Sequence, residues 1–146
     1  MKSKSWIPLL IGFWVALGTF NVYAQEFIVV VSKDSTISTL TTGDAKIIFM
    51  GKKSNWDSGA PILVVYPPIK APQRQDFEKT VLGKTPFEIE KYWVRFAIIN
   101  NVQAPVTLAS DDLVASTVAA NANAIGVVGK EFSIESRGLK KVTITQ

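Results

Sequence analysis

Ile62-Leu63-Val64-Val65-Tyr66 is an unbroken apolar run halted by Pro67-Pro68, and its reading decides the architecture. A strand with one wet face alternates apolar and polar residues, whereas a strand covered on both faces need not. The run is too short for a typical buried helix and normal for a strand. Phe27-Ile28-Val29-Val30-Val31 and Ala124-Ile125-Gly126-Val127-Val128 have the same character. Val106-Thr107-Leu108-Ala109 reads as a shorter strand. Leu139 to Ile144 reads as a last one, with Val142 and Ile144 alternating against Thr143 and Thr145. The tail from Glu131 onward is otherwise open to three readings: strand, swapped arm or docking segment.

Helical patterns lie between these runs. Ser38 to Met50 carries Leu40, Ala45, Ile47, Ile48 and Phe49 at roughly helical spacing, with Gly51 placed as a C-terminal stop. A second helix is expected from Pro72, with Phe77, Val81 and Leu82 inward and Gly83 at its end. Thr85-Pro86-Phe87-Glu88 has the form of a capping box and opens a helix bearing Tyr92, Trp93 and Phe96 on one face. Ser110-Asp111-Asp112 caps another, with acids suited to its positive end. Strands alternating with helices predict an α/β domain with a mostly parallel sheet and helices on both faces. Ligands of such sheets lie beyond the carboxyl ends of the strands, where helix N-termini converge.

The N-terminus reads as an export signal. Basic Lys2 and Lys4 precede an apolar run from Trp6 to Phe20, and Val22 and Ala24 suit a cleavage point before Gln25. A bilayer-spanning helix takes about 20 apolar residues, and Pro8, Gly12 and Gly18 weaken this run as a permanent anchor. The expectation is a cleaved signal over residues 1–24, one periplasmic domain over 25–146, and no membrane attachment afterwards. Sixteen basic and twelve acidic residues give a net charge of +4, and loss of Lys2 and Lys4 leaves +2. That charge is too mild to argue for nucleic acid. With neither histidine nor cysteine, the chain lacks an imidazole base, a thiolate nucleophile and a Cys/His zinc site. No carboxylate pair has acid–base spacing. The reading is a non-enzyme with no cofactor and no metal.

Several of these stretches together resemble the phosphate-type substrate-binding proteins of bacterial ABC transporters. Ile48-Phe49-Met50-Gly51-Lys52 followed by Trp56, the strand Ile62–Tyr66, Arg74 with Phe77, Trp93, and Ala124-Ile125-Gly126-Val127-Val128 carry the likeness in order. The resemblance implies one lobe of a type II periplasmic binding protein, and inorganic phosphate or a similar oxyanion as its solute. Family members have two lobes, and this chain has length for one. Where the family places a Gly-Ser-Gly-Thr anion loop, Lys70-Ala71-Pro72-Gln73 stands here, without its hydroxyls and with one backbone N–H fewer.

The candidate anion-binding residues are therefore Lys70, Gln73 and Arg74, with Ser32, Ser35 and Thr36 as hydroxyls from a neighbouring loop. Under this reading Arg74 is a surface residue whose loss abolishes anion binding and costs about 0.5 kcal/mol of stability or less; the competing reading makes the first three a solvated helical turn and the last three turn and cap residues. Two functions remain open. One is solute binding, weak alone or completed by a homodimer or partner. The other is a fold retained as a structural or protein-interaction module of the cell envelope.

Overall fold

The computed structural model describes residues 24–146, so the expected export signal lies outside the described residues. Strand β1 spans Phe27–Ser32, β2 Thr39–Thr41 and helix α1 Thr42–Phe49. Then come β3 (Leu63–Tyr66), α2 (Pro72–Phe77), α3 (Pro86–Asn100), β4 (Val106–Thr107), α4 (Asp111–Ala119), β5 (Ala124–Gly129) and β6 (Leu139–Thr145). The strands form one sheet in the order β2-β6-β1-β5-β3-β4. β1 runs antiparallel to β5 and β6, while β2–β6, β3–β4 and β3–β5 are parallel. Five strands therefore share one direction and β1 alone opposes them, in keeping with a mostly parallel sheet. The tail is a strand: β6 pairs with β1 and shelters its edge.

The unbroken apolar runs follow from burial on both faces. On one face Val29, Val31, Ile125 and Val127 pack under Ile48 and Phe49 of α1, Phe77 of α2 and Trp93 of α3. On the other, Val30, Val65 and Val128 meet Val114, Ala115 and Val118 of α4. Gly126 lets α4 lie close, because a Cβ there would stand 2.9 Å from Val118 and 3.0 Å from Val114. Gly51 ends α1 at φ +71°, with the Trp93 indole filling the space that a Cβ would take.

Two elements depart from expectation. The helix begins at Thr42 rather than Ser38, because Thr41 is its N-cap. The Thr41 hydroxyl accepts from Asp44 N–H at 3.0 Å, and the Asp44 carboxylate reaches back to Thr41. Before it, Thr39-Leu40-Thr41 alternates exposed, buried, exposed, the period of a strand, and pairs with β6. The second helix begins at Pro72 and stops at Gly83 (φ +70°) as expected, but continues past Phe77 as a π-helical turn, Glu78–Leu82. The Phe77, Val81 and Leu82 stripe is buried.

Candidate oxyanion site at the mouth of the sheet

The carboxyl ends of β3, β4 and β5 meet the N-termini of α2 and α4 at one end of the sheet, beside the start of β1. Phe27 pairs with Gly129 there. This is the mouth that the topology reserves for a ligand, and Lys70, Gln73 and Arg74 lie on it or just beneath it. Ser32, Ser35 and Thr36 do not. β1 runs against β3, so its carboxyl end lies at the opposite edge, roughly 17 Å away at about 3.4 Å per residue. There the Ser32 hydroxyl accepts from Asp34 N–H at 3.3 Å, and Ser35 accepts from Ile37 N–H at 3.2 Å. Ser35 and Thr36 line a depression with Trp56, whose indole donates to Asn123 O at 3.0 Å. The six candidates therefore do not converge on one pocket, because the direction of β1 separates them.

Arg74 is neither a free ligand nor a solvated surface residue. Only 2% exposed, it engages each of its three guanidinium nitrogens inside the protein. Its Nε donates to Glu78 at 2.9 Å and Nη2 to Glu90 at 2.8 Å. Nη1 donates to Pro67 O and to the Thr107 hydroxyl, each at 3.2 Å, and the guanidinium stacks 4.4 Å from the centre of the Tyr66 ring. One side chain thus ties the ends of β3 and β4 to α2, its π-turn and α3. Burial pushes the Glu78 carboxyl up, against the opposing hydrogen bond and charge of Arg74. Burial also pushes the Tyr66 hydroxyl well above its ordinary value. Glu78 Oε2 and Tyr66 Oη are buried without hydrogen-bond partners among the described residues. Glu78 at four residues beyond Arg74 was the sequence signal for this pair; Glu90, on another helix, had none.

Gln73 is half-buried and donates to Asp111 Oδ1 at 2.8 Å, while Gly129 N–H donates to Oδ2 at 2.8 Å. Asp111, read from sequence only as a helix-start acid, therefore draws together the starts of α2 and α4 and the end of β5. The depression around them, about 360 Å³, also holds Glu26, Lys130 and Glu131. Lys130 is paired with Glu26 at 2.9 Å. Lys70 is exposed, and three carboxylates against Lys130 make the depression poorly suited to an anion by charge alone.

α3 leaves Phe87, Val94, Ile98 and Ile99 between 67% and 78% exposed. Phe87, Val94 and Ile98 fall on one stripe at i, i+7 and i+11. Among the described residues no helix is long and apolar enough to cross a membrane.

No family model matches the chain, and no curated protein matches its sequence. Its fold does match solved structures. A phosphate ABC-transporter substrate-binding protein from Clostridium perfringens, with bound phosphate, is 20% identical with a TM-score of 0.62, over 82% of this chain and 44% of that one. An ABC-type phosphate transport receptor from Vibrio cholerae gives 17% and 0.62, over 82% and 46%. PstS from Borrelia burgdorferi gives 17% and 0.63, over 83% and 48%. The chain spans less than half the length of each of these three structures. The likeness is one of fold: the α/β sheet of this chain matches less than half of each of these substrate-binding proteins.

Proposed function

We propose that this chain is an exported, non-enzymatic substrate-binding lobe of the phosphate type, which holds an oxyanion weakly alone and is completed by a second surface. The observation that carries this reading is the match of fold to substrate-binding proteins of phosphate transporters, one of them holding phosphate. Weak holding follows from the mouth: Arg74 is engaged by Glu78, Glu90, Pro67 and Thr107 and Gln73 by Asp111, leaving Lys70 as the exposed cation of the three candidates. A lone lobe also covers little of a ligand, and tight binding needs enclosure. The second surface is supplied by another copy or by an envelope protein.

One observation favours the other reading, a module that keeps the fold without the solute. Each Arg74 nitrogen already has a partner inside the protein, and the uncovered apolar stripe of α3 suits a protein contact better than a solute. Calorimetric titration with inorganic phosphate, on protein purified from the periplasm of an expressing host, separates the two. Saturable heat that weakens in Lys70→Ala and falls with salt supports oxyanion binding. No heat at millimolar phosphate supports the interaction module.

A further inference from the structure

A groove of about 360 Å³ runs between α3 and the segment leading into β4, with Arg74 at one end. Ala97, Ile98 and Pro105 wall it, and Arg74, Glu90 and Thr107 form its polar end. We propose that this groove is a separate binding site for a small amphipathic anion, an oxyanion head on a short apolar body, and that Glu90 holds it closed. The site shares Arg74 with the mouth but is distinct from phosphate held by Lys70, which requires no movement of Glu90.

The argument rests on how unequally Arg74 is held. Glu78, which takes Nε, is fully buried and cannot leave. Glu90, which takes Nη2, is 45% exposed on the flank of α3 and can rotate into water. Its departure leaves Arg74 and Glu78 as a neutral pair, so an incoming anion takes the place of the Glu90 carboxylate at the guanidinium. The Thr107 hydroxyl already lies 3.2 Å from Nη1 and offers a second donor at the same end. Trp93 also lines the groove and is only 7% exposed, with an indole N–H lacking an acceptor among the described residues. Its place in the groove wall makes the Trp93 indole a reporter of occupancy.

Volume sets the ligand class. Small-molecule sites begin at about 300 Å³, so the groove has room for more than an inorganic anion. Its walls beyond the polar end are apolar, and Ile98 is 78% exposed among the described residues. An aliphatic body of a few carbons fits these walls. A tethered carboxylate competes at an effective concentration of order millimolar, so the wild-type protein binds weakly. Glu90→Gln keeps the shape and removes the competing charge.

The test is an NMR titration of the full periplasmic protein with monobutyl phosphate and, separately, inorganic phosphate, read at the Trp93 indole N–H. Glu90→Gln is expected to bind monobutyl phosphate about tenfold or more tighter than wild type, because the open state is no longer a minor fraction. Inorganic phosphate should gain far less, and Ala97→Leu, which fills the groove, should abolish the response. Equal affinity in wild type and Glu90→Gln, persistence in Ala97→Leu, or no response at all overturns the proposal. Inorganic phosphate that saturates all three variants alike supports the mouth and overturns the groove. If Glu90→Gln does not fold, wild type against Ala97→Leu decides: equal weak binding of monobutyl phosphate overturns the site.

Discussion

Removing the Arg74 side chain would strand Glu78 in a dry interior. A buried pair broken from one side typically costs about 3–5 kcal/mol, since the remaining charge loses its partner but stays desolvated. Arg74→Ala is therefore expected to lose roughly that much stability by urea denaturation, far more than the half kcal/mol typical of surface sites. A loss within 0.5 kcal/mol would mean the guanidinium is exposed in solution. Glu78 supplies a second test. Its folded carboxyl is raised, so between the ordinary glutamate range near 4.5 and that raised value the native state holds the extra proton. Stability from this group is present at low pH and is lost as pH rises through the raised value. The stability difference between wild type and Glu78→Gln should shift against wild type on raising the pH from about 4.5. A difference that is flat across that range would place Glu78 in water. The spacing of Glu78 marks the pair but fits a solvated first turn equally well; Glu90, Thr107, Pro67 and Tyr66, brought by other elements, close the cage.

At the scale of elements, stop and start signals were readable because they are settled by residues a few positions apart. Thr85 and Glu88 form the reciprocal cap expected of them: Thr85 N–H donates to Glu88 Oε2 at 2.7 Å, and Glu88 N–H to the Thr85 hydroxyl at 3.3 Å. The hydrogen bonds from Thr85 hold the Glu88 carboxyl below its ordinary range. Thr85→Ala should destabilise the protein by about 1 kcal/mol in chemical denaturation; an unchanged midpoint would show that α3 needs no cap. The same chemistry at Thr41 and Asp44 marks the start of α1, three residues beyond the first polar residue of that stretch. β2 escaped the reading because three residues make no period on their own, and its pairing partner lies a hundred positions away in β6. The π-turn after Phe77 escaped it for a related reason. One extra residue per turn is held by the packing of Phe77, Val81 and Leu82 under the sheet, a tertiary cause.

For the whole molecule, the position of each strand sets its expected persistence. β1 lies between β6 and β5, and β5 between β1 and β3, whereas β4 contributes two residues at an open edge. Hydrogen exchange should therefore find the amides of Val29 to Val31 and Ile125 to Val127 protected to the level of global unfolding. Those of Val106 and Thr107 should open earlier. Early exchange throughout β1 would contradict its place inside the sheet. The reversed direction of β1 also scatters the site candidates, putting Ser32, Ser35 and Thr36 at one edge and Lys70, Gln73 and Arg74 at the other.

Apolar runs, caps and stops are decided within a dozen residues, and for that reason the sequence alone determined the α/β class, the helices on both faces and most element boundaries. Burial on two faces removes alternation, and a capping hydroxyl reaches only its own helix. Whether a charged side chain meets water or a partner depends on groups far apart in the chain. The tertiary structure alone therefore decided that β1 runs backwards, that Asp111 engages Gln73, and that Arg74 is locked between Glu78 and Glu90. Charge and hydrogen bonding act over a few ångströms of space, and only folding determines which residues share that space.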